Sequence, residues 1–279
     1  MVTGAGRGIG RAIAQELASA GHHLVLCDKD GAPLIEVADT LGPGHRYVTA
    51  DVTDPETSQR LAADALRHYG RLDVWINNAG ILPTGPLRQH PRHLVDHTIA
   101  VNLTAVCDGS QAALSIMLEQ GSGHLINIAS ASALKPVAGM ATYSATKAGV
   151  LALSEALRRE ARPYGVHVST VLPCLIATRL ASGLQLPFNR TPLPPSAVAD
   201  TVLQLLNHPA PHRYVPRWLG WVMSGTALVP TRLRDHADDL LHTDDIGLNP
   251  APDRAIYQAT LLRDSEPDAD MAKAPPSDT

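Results

Sequence analysis

The chain is short of the features that mark secreted, membrane-spanning and metal-binding proteins. It has three cysteines in 279 residues, scattered and odd in number, so reduced thiols are expected rather than a disulfide framework. No uninterrupted apolar run reaches the roughly 18 residues that a membrane-spanning helix needs. The 13 histidines show no ligand spacing, which predicts that no metal is bound. No signal peptide precedes the glycine-rich N-terminus, and a cytoplasmic protein is therefore expected.

A strong charge of either sign is also missing. The formal net charge is -4 and charged residues make up 18%, so nothing in the composition points to a nucleic-acid partner. Hydrophobic residues make up 44%, which is ordinary for a globular protein and enough for a substantial core. The length fits one large α/β domain or two small ones.

What the sequence does contain is an alternation of short apolar runs with stretches of helical period. The apolar runs, which predict β-strands, cover residues 23–28, 46–51, 72–80, 124–130 and 166–173. The helical stretches between them end near glycines that can cap a helix, at Gly21, Gly70, Gly121 and Gly165. This order predicts an α/β fold, a Rossmann-type doubly wound parallel sheet with helices on both faces.

The domain organisation is predicted from changes in this pattern. Residues 1–216 carry the alternation and form the predicted dinucleotide-binding and catalytic domain, in which the Pro- and Leu-rich stretch 179–196 is a candidate substrate lid. Residues 217–250, which begin with an apolar stretch containing two tryptophans, are expected to form a C-terminal helical extension packed on the same domain. Residues 251–279 are rich in Asp, Pro and Ala and predict a largely disordered tail.

The first strand is truncated in this sequence. Met1 and Val2 alone precede the stretch TGAGRGIG, although the first strand of such a sheet lies at its centre. A central strand of this length would leave its neighbours with unpaired backbone groups. Either the strand begins upstream, or the fold tolerates a short first strand.

The stretch TGAGRGIG at residues 3–10 predicts a phosphate-binding turn. Its glycines, Gly4, Gly8 and Gly10, turn a strand tightly into a helix and let a pyrophosphate approach the free N–H groups of the helix start. Asp28 ends the next predicted strand 18 residues after Gly10, where a carboxylate can bind the adenosine ribose of a dinucleotide. Taken alone, TGAGRGIG also fits a structural turn, and Asp28 also fits a solvated acid at the end of a strand.

The cofactor prediction is NAD, with NADP left open. The Asp28 carboxylate would repel the 2′-phosphate of NADP, whereas Arg7 or Lys29 could pair with it. Asp51 ends the third predicted strand, where its side chain can meet the adenine edge. The stretch Asn-Asn-Ala-Gly at 77–80 ends the fourth strand, at the edge where open parallel sheets bind their ligands.

A second set of residues predicts the chemistry. Tyr143 and Lys147 stand one helical turn apart on one face, and Ser130 lies 13 residues before Tyr143 at the end of a strand. Asn102 lies in the predicted helix that follows residues 77–80. Together with TGAGRGIG and NNAG, these residues resemble the short-chain dehydrogenase/reductase family, in the family's order, from residue 1 to about residue 216.

The resemblance implies an NAD(P)-dependent oxidoreductase that acts on CH–OH groups. Tyr143 would be the general acid/base, and the Lys147 cation would lower the pKa of the phenol and bind the nicotinamide ribose. Ser130 would orient the substrate oxygen, and Asn102 would anchor a water that relays protons from Lys147. Taken singly, each residue could also have a purely structural role. Tyr143 could be a core aromatic and Lys147 a solvated helix lysine, while Ser130 could cap a loop and Asn102 could satisfy a helix kink.

The resemblance also implies which residues contact the cofactor. Thr178 matches the family's threonine that bonds the nicotinamide carboxamide, whereas Cys174 stands after Pro173 where the family has glycine, a departure from the usual local backbone. The implied cofactor contacts are Gly4, Arg7, Gly8, Ile9, Gly10, Asp28, Asp51, Val52, Asn78, Ala79, Gly80, Tyr143, Lys147, Pro173, Ile176 and Thr178.

The substrate prediction depends on two apolar segments. If the lid and the segment 218–223 both border the site, the substrate is a hydrophobic alcohol or ketone, such as a steroid, retinoid or lipid-derived compound. Alternatively, the tryptophan segment packs on the core or on a partner subunit, or residues 217–234 make a peripheral membrane contact flanked by Arg217, Arg232 and Arg234. The residues concerned are Leu180, Leu184, Leu186, Pro187, Phe188 and Leu193 in the lid, and Trp218, Trp221 and Met223 beyond it.

Three functions follow from these patterns. The first is an NAD-dependent dehydrogenase or reductase of a secondary alcohol or ketone, and the second is an NADP-dependent carbonyl reductase. The third is a non-catalytic member of the fold that senses nucleotide or scaffolds a partner. The helices predicted around 97–120 and 142–163 resemble the family's subunit-contact helices, which implies a homodimer or homotetramer.

Overall fold

The computed structural model describes residues 1–184, 191–226, 229–241 and 243–266. Its centre is a sheet of seven strands in the order β3-β2-β1-β4-β5-β6-β7, in which every neighbouring pair is parallel. The strands are β1 Val2–Thr3, β2 Val25–Asp28, β3 Arg46–Thr49, β4 Val74–Asn77, β5 Gly123–Ile128, β6 Val166–Pro173 and β7 His212–Val215. The predicted Rossmann-type sheet is confirmed.

Helices follow the strands in the alternating order that the sequence predicts. Within the described residues, those of the sheet domain are α1 Gly8–Ser19, α2 Gly31–Leu41, α3 Thr57–Tyr69, α4 Arg92–Ile99, α5 Ala105–Gln120, α6 Ala141–Ala161 and α7 Ser196–Asn207. The C-terminal helices are α8 Leu219–Thr226, α9 Thr231–Leu240, α10 Asp245–Leu248 and α11 Arg254–Ser265. None of the described helices is long and apolar enough to cross a bilayer.

The core has two layers because side chains on each strand alternate between the faces of the sheet. Leu26 and Ile76 are buried on one face in a cluster with α1, α2 and α7. Trp75 and Leu125 are buried on the other face in a cluster with α3 and α5. Burying one such side chain stabilises the fold by about 1.5–3 kcal/mol, so both faces contribute.

The short first strand still pairs on both sides. Val2 lies opposite Leu26 of β2 and Ile76 of β4, and Thr3 lies opposite Cys27. Val2 and Thr3 are both buried. This pairing places the glycine-rich turn between β2 and β4.

The strand order changes direction between β1 and β4, which opens a crevice at the carboxyl ends of these strands. Asn78, just past β4, closes the back of the crevice: its Nδ2 donates to the carbonyls of Thr3 (2.9 Å) and Gly4 (3.1 Å). Its backbone N–H donates to the Thr3 hydroxyl at 3.0 Å. The end of β4 and the glycine-rich turn are therefore held together as one unit.

The predicted helix over 97–120 is divided by a π-helical turn at Ala100–Thr104, between α4 and α5. Such turns widen a helix by one residue and are frequent at functional sites. The turn places Asn102 in the interior, where it is fully buried.

The expectation of a largely disordered tail is wrong for residues 254–265, which form α11. Tyr257 and Leu261 lie on one side of this helix and pack against Leu94 of α4. The Asp- and Pro-rich composition of the segment concealed a short apolar stripe, and burial of that stripe stabilises the helix.

Candidate active site

One cavity of about 460 Å³ runs along the carboxyl edge of the sheet. It is lined by nearly all the residues that the sequence predicted as a site, with the exceptions of Gly10 and Asn102. The predicted residues on its wall are Gly4, Arg7, Gly8, Ile9, Asp28, Asp51, Val52, Asn78, Ala79, Gly80, Ser130, Tyr143, Lys147, Pro173, Ile176 and Thr178.

The glycine-rich turn forms a cradle that side chains would fill. Gly4 and Gly8 have positive φ angles of 64° and 53°. A Cβ on Gly4 would lie 2.9 Å from the Ala79 Cα, and one on Gly8 would lie 3.1 Å from the Thr178 methyl group. A Cβ on Gly10 would overlap the Gly4 carbonyl oxygen. Gly8 and Ile9, at the start of α1, line the cavity, and a helix N-terminus at this place fits a pyrophosphate.

Asp28 is fixed at the end of β2, with its carboxylate bordering the cavity. One oxygen accepts the Gly6 N–H at 2.9 Å and the other accepts the Asp30 N–H at 3.1 Å. Asp51, past the end of β3, is bonded within its own turn, where its Oδ1 accepts the Thr53 N–H and hydroxyl, both at 2.8 Å. Both acids line one end of the cavity and suit the adenosine half of a dinucleotide.

The two cations that could favour a 2′-phosphate each have a carboxylate partner. Arg7 donates to Asp30 at 2.7 Å, and Lys29 is paired with Asp264 of α11. All four side chains border the cavity near Asp28. The cations are therefore partly neutralised by neighbouring acids.

Tyr143 and Lys147 lie on the inner face of α6 and are both buried. The Lys147 Nζ lies 5.8 Å from the centroid of the Tyr143 ring and donates to the Ile128 carbonyl at 3.0 Å. An ammonium group has three N–H donors, so Lys147 keeps donors for a ligand in the cavity. The prediction that Tyr143 and Lys147 share one face of a helix is confirmed, while their catalytic role stays a prediction.

Burial shifts the pKa values of the pair in directions that oppose charge on either group. Desolvation raises the pKa of Tyr143 to about 12, and the nearby Tyr257 adds to this rise. The Ser130 hydroxyl and the Arg254 guanidinium act in the opposite direction. Desolvation lowers the pKa of Lys147 to about 8. The groups that lower the pKa of Tyr143 are Ser130 and Arg254, so the expected lowering by Lys147 is not seen here.

Ser130 follows β5 and caps the short turn Ala131–Ala133. Its Oγ accepts the Ser132 N–H at 3.2 Å and the Ser132 hydroxyl at 3.0 Å. Because the Ser130 oxygen accepts both bonds, its own proton is left to donate toward the Tyr143 hydroxyl, and this hydrogen bond lowers the pKa of Tyr143. This arrangement fits a group that orients a substrate oxygen.

Asn102 bonds the backbone on the far side of Gly80. Its Oδ1 accepts the Ile81 N–H and its Nδ2 donates to the Ile81 carbonyl, both at 2.9 Å. The Nδ2 also lies 3.3 Å from the Thr146 hydroxyl. A Cβ on Gly80 would stand 3.2 Å from Asn102 and 3.5 Å from the Lys147 Nζ, so the amide and the ammonium are close. The predicted water relay stays a prediction.

The segment after β6 still pairs with β7 at Cys174. The Cys174 N–H donates to the Val215 carbonyl at 2.8 Å, which continues the pairing of β6 with β7. Cys174 is a half-buried free thiol. Thr178 precedes the turn Arg179–Ala181 and sits against Gly8, so the segment still closes over the glycine-rich turn.

The structure describes only part of the apolar lid candidate, residues 179–184 and 191–196. Leu180 and Leu184 line the cavity, and Leu193 forms an isolated bridge with Ile176 beside it. The remaining predicted lid residues, Leu186, Pro187 and Phe188, lie outside the described residues.

The tryptophan segment has two faces. Leu219 and Met223 of α8 line the cavity, whereas Trp218 and Trp221 are 54% and 85% exposed. The tryptophans therefore do not border the site, and the apolar wall comes from their neighbours. The predicted membrane or subunit contact through this segment stays a prediction.

Helix α11 contributes site residues that the sequence did not reveal. Tyr257, Thr260, Leu261 and Asp264 all line the cavity. Their spacing follows one helical face, which was the available signal, but the surrounding Asp and Pro residues favoured disorder. Arg254 lies behind them and is 1% exposed.

Sequence comparison with known proteins agrees with this geometry. A family model described as short chain dehydrogenase matches residues 1–186. An uncharacterized oxidoreductase of Staphylococcus aureus is 37% identical over 210 residues, which cover 75% of this chain and 90% of that protein. A second uncharacterized oxidoreductase, from Staphylococcus epidermidis, is 33% identical over 210 residues, which cover 75% of this chain and 91% of that protein.

Two solved structures have the same fold. A short-chain dehydrogenase from Streptomyces avermitilis has a TM-score of 0.71 at 28% identity and covers 81% of this chain and 93% of that one. A 3-ketoacyl-(acyl-carrier-protein) reductase from Brucella melitensis, complexed with NADH, has a TM-score of 0.68 at 27% identity and covers 73% and 88%.

A doubly wound sheet whose crevice holds a glycine-rich turn, a strand-end aspartate and a Ser, Tyr and Lys set defines a dinucleotide-binding oxidoreductase. The chain belongs to the short-chain dehydrogenase/reductase family and is an NAD(P)-dependent oxidoreductase.

Proposed function

We propose that this protein transfers a hydride between a nicotinamide cofactor, NAD in preference to NADP, and a hydrophobic ketone or secondary alcohol. One observation carries the proposal: Asp28 and the glycine-rich turn share a continuous cavity with Ser130, Tyr143 and Lys147. The nicotinamide supplies or accepts the hydride when it is bound.

The preference for NAD follows from charge at the adenosine end. Asp28, Asp30, Asp51 and Asp264 border the cavity there, against the two cations Arg7 and Lys29. A 2′-phosphate would have to compete with Asp30 and Asp264 for these cations while facing the Asp28 carboxylate. A ribose with free hydroxyls instead gains an acceptor in Asp28.

The proton chemistry is assigned to Tyr143. Its raised pKa keeps the phenol protonated at neutral pH, so it is a proton donor before substrate binds. Donation to a carbonyl oxygen suits ketone reduction, with Ser130 holding the same oxygen. Lys147 is cationic below pH about 8 and would stabilise the phenolate left behind. We therefore infer that the free protein at neutral pH has the proton that ketone reduction needs.

The substrate class follows from the wall beyond Tyr143. Leu82, Met140, Leu184 and Leu219 line this half of the cavity, and Leu82, Met140 and Leu184 pack with Tyr143 in one apolar cluster. Such a wall favours a hydrophobic ketone over a sugar or a small acid.

Fluorescence titration with NADH and NADPH tests the cofactor preference. NADH should bind at least about tenfold tighter, which corresponds to 1.4 kcal/mol. Asp28→Ser should narrow the difference, while Glu36→Ser, at an exposed acid on α2, should leave it unchanged. Tighter NADPH binding by the wild type would overturn the preference.

A panel of cyclic and aliphatic ketones with NADH then tests catalysis. Rates should rise with the apolar size of the ketone until the cavity is filled. Tight NADH binding without turnover of any ketone or alcohol would favour the non-catalytic, nucleotide-sensing alternative. A homodimer or homotetramer remains a prediction from the family resemblance, and a cytoplasmic location remains a prediction from the cysteine usage.

A further inference from the structure

Helix α11 brings a second phenol into the substrate half of the cavity. Tyr257 borders the cavity, as does Tyr143, and is more than nine-tenths buried. Leu82 touches both phenols: its side chain packs in the apolar cluster of Tyr143, and its N–H donates to the Tyr257 hydroxyl oxygen at 3.1 Å. The two hydroxyl groups therefore belong to the same compartment.

The Tyr257 hydroxyl has one hydrogen-bonding function still unused. Its oxygen accepts from Leu82, but among the described residues no oxygen or nitrogen accepts the Tyr257 hydroxyl proton within hydrogen-bonding distance. A buried donor without an acceptor costs about 1–3 kcal/mol, so such a group is expected to meet a ligand or water. Burial raises the pKa of Tyr257, which keeps the proton in place at neutral pH.

The orientation of Tyr257 is fixed from behind by Arg254. The guanidinium carbon lies 4.4 Å from the centroid of the Tyr257 ring, which is the distance of a cation–π contact. Arg254 is fully buried, yet its acceptors within the described residues are neutral oxygens rather than carboxylates. Those acceptors are the Thr84 hydroxyl and the carbonyls of Leu82, Leu180 and Ser182.

These contacts tie α11 to both loops that enclose the substrate half. Leu82 and Thr84 follow β4, and Leu180 and Ser182 form the base of the lid candidate. A planar guanidinium can bond several carbonyls in fixed directions, and a long flexible ammonium cannot replace it. Arg254 thus acts as a positioning residue, because it holds the Tyr257 ring and the two loops in one arrangement.

We propose that Tyr257 is a specificity-determining residue that donates a hydrogen bond to a second oxygen of the substrate, distinct from the oxygen that reacts at Tyr143. The preferred substrate is then a hydrophobic ketone that carries a further neutral oxygen, as a carbonyl, ether or hydroxyl group. The apolar wall around Tyr257, formed by Leu82 and Leu261, suits a hydrophobic skeleton, and a neutral phenol can donate to any of these oxygens. This inference rests on the proposed function and names its substrate class more closely.

The test compares one skeleton with and without the second oxygen. Decalone is the plain ketone, and decalindiones with a second carbonyl on the far ring supply the acceptor at different positions. With NADH, the best dione should have a kcat/KM about 3- to 10-fold above that of decalone, after correction for its two reducible carbonyls, the range of one neutral hydrogen bond. An equal or lower kcat/KM for every dione would overturn the proposal.

Tyr257→Phe keeps the ring over Arg254 and removes the hydroxyl. The variant should lose the 3- to 10-fold preference for the dione through a higher KM, while its kcat/KM for decalone stays within about twofold of the wild type. If the role of Tyr257 were purely structural, Tyr257→Phe would lower kcat/KM equally for decalone and for the dione, and that result would overturn the proposal. Tyr164→Phe, at a phenol that is 57% exposed, is the matched control and should change neither value.

A binding measurement separates this inference from the proposed activity. Calorimetry of decalone and the diones with the protein–NAD⁺ complex reports the Tyr257 contact without turnover, because the oxidised cofactor has no hydride to transfer to a ketone. If neither compound is reduced but the dione binds more tightly and Tyr257→Phe removes that difference, the reductase proposal fails and the Tyr257 site stands. Equal binding of dione and decalone by the wild type would overturn the Tyr257 site, whatever the rates. Arg254→Lys should weaken the preference as well, because it loosens the Tyr257 ring.

Discussion

At the scale of single residues, the site places two ionisable groups where water does not solvate them. Tyr143 and Lys147 are both buried, and burial alone moves their pKa values toward the neutral forms, to about 12 and about 8. Proton donation by Tyr143 leaves a phenolate, and a desolvated site stabilises that charge poorly. Ligand binding must therefore supply part of the stabilisation of charge, which couples chemistry to the filling of the cavity.

Tyr143→Phe removes the proton donor and leaves the packing of the ring nearly unchanged. General acid–base catalysis contributes about 10²–10⁴-fold to a rate, so turnover of a good ketone should fall by at least about 100-fold. NADH affinity and melting temperature should stay close to the wild type. Steady-state kinetics beside an NADH titration checks both, and retention of most activity would contradict the assignment of Tyr143.

Lys147→Met should slow turnover, weaken NADH binding and stabilise the fold. The lysine pKa is lowered from 10.5 to about 8 on folding, so between those values the unfolded chain binds more protons. Stability therefore rises with pH through this window, and the penalty of the buried cation is fully present below pH about 8. Removing the cation should raise the melting temperature by several degrees at pH 7.

The gain should shrink as the pH approaches 10, because the wild-type lysine is then neutral when folded. Thermal melts of both proteins from pH 7 to pH 10 provide the measurement. A Lys147→Met protein that melts below the wild type at pH 7 would show that the lysine stabilises the fold instead.

Sequence spacing predicted which residues meet at this scale, but not their electrostatics. The interval between Tyr143 and Lys147 places both on one helix face in any α-helix, so their proximity follows from the chain alone. Their pKa values depend on how completely other elements cover them. The position of Asn102 could not be predicted either. Its amide bonds the Ile81 backbone because it lies in a π-helical turn, and the local sequence does not predict that turn.

At the scale of elements, the glycine-rich turn and α1 form one unit with the end of β4. Gly10 is the tightest point, because a Cβ there would overlap the Gly4 carbonyl and stand 2.6 Å from the Asn78 Nδ2. The turn must move to admit any side chain, and the N–H groups that face the cavity move with it.

Gly10→Ala should therefore weaken NADH binding by at least about tenfold and destabilise the fold by about 1–3 kcal/mol, the usual cost of overpacking. Gly21→Asn is the matched control: Gly21 also lies near α1, its φ of 84° is one that asparagine tolerates, and a Cβ added there would meet nothing within 4 Å. Titration and urea unfolding of both variants give the comparison. Wild-type NADH affinity in Gly10→Ala would contradict the role of this turn.

Among the elements, the strands and their order were accessible from the sequence, whereas α11 was not. Strand residues such as Leu26 and Leu125 are buried on both faces of a parallel sheet, which produces the continuous apolar runs that predict them. Helix α11 buries Tyr257 and Leu261 on one side among exposed polar residues. Its stability comes from contacts with α4 and with loops far along the chain, and composition does not report such contacts.

At the scale of the whole molecule, acid stability is expected to depend on a histidine in the middle of the sheet. His124 of β5 is buried, and its Nε2 lies 2.7 Å from the Ser169 hydroxyl. Ser169 donates to the Ala210 carbonyl at 2.6 Å, so its oxygen accepts from a neutral His124. Desolvation, followed by the neighbouring His167, lowers the pKa of His124 to about 4.

The unfolded chain binds a proton at this histidine from pH 6.5 downward, while the folded chain does so near pH 4. Stability should therefore fall as the pH drops through that window, by up to about 3 kcal/mol at 1.36 kcal/mol per pH unit. His124→Gln should lose correspondingly less stability between pH 7 and pH 4.5 in urea unfolding, and His22→Gln, at an exposed site, should behave like the wild type. Equal pH slopes in all three proteins would contradict this expectation.

The contact between Arg254 and Leu82 joins residues 172 positions apart, and this separation sets an order of assembly during synthesis. Every strand of the sheet is present once Val215 has been made, and Arg254 follows 39 residues later (254 minus 215). At roughly 5–20 residues per second the ribosome needs about 2–8 s for that interval. A nascent chain can thus display a nucleotide-ready sheet before its substrate compartment exists, and a bound dinucleotide would stabilise that intermediate while the last helix is still being translated.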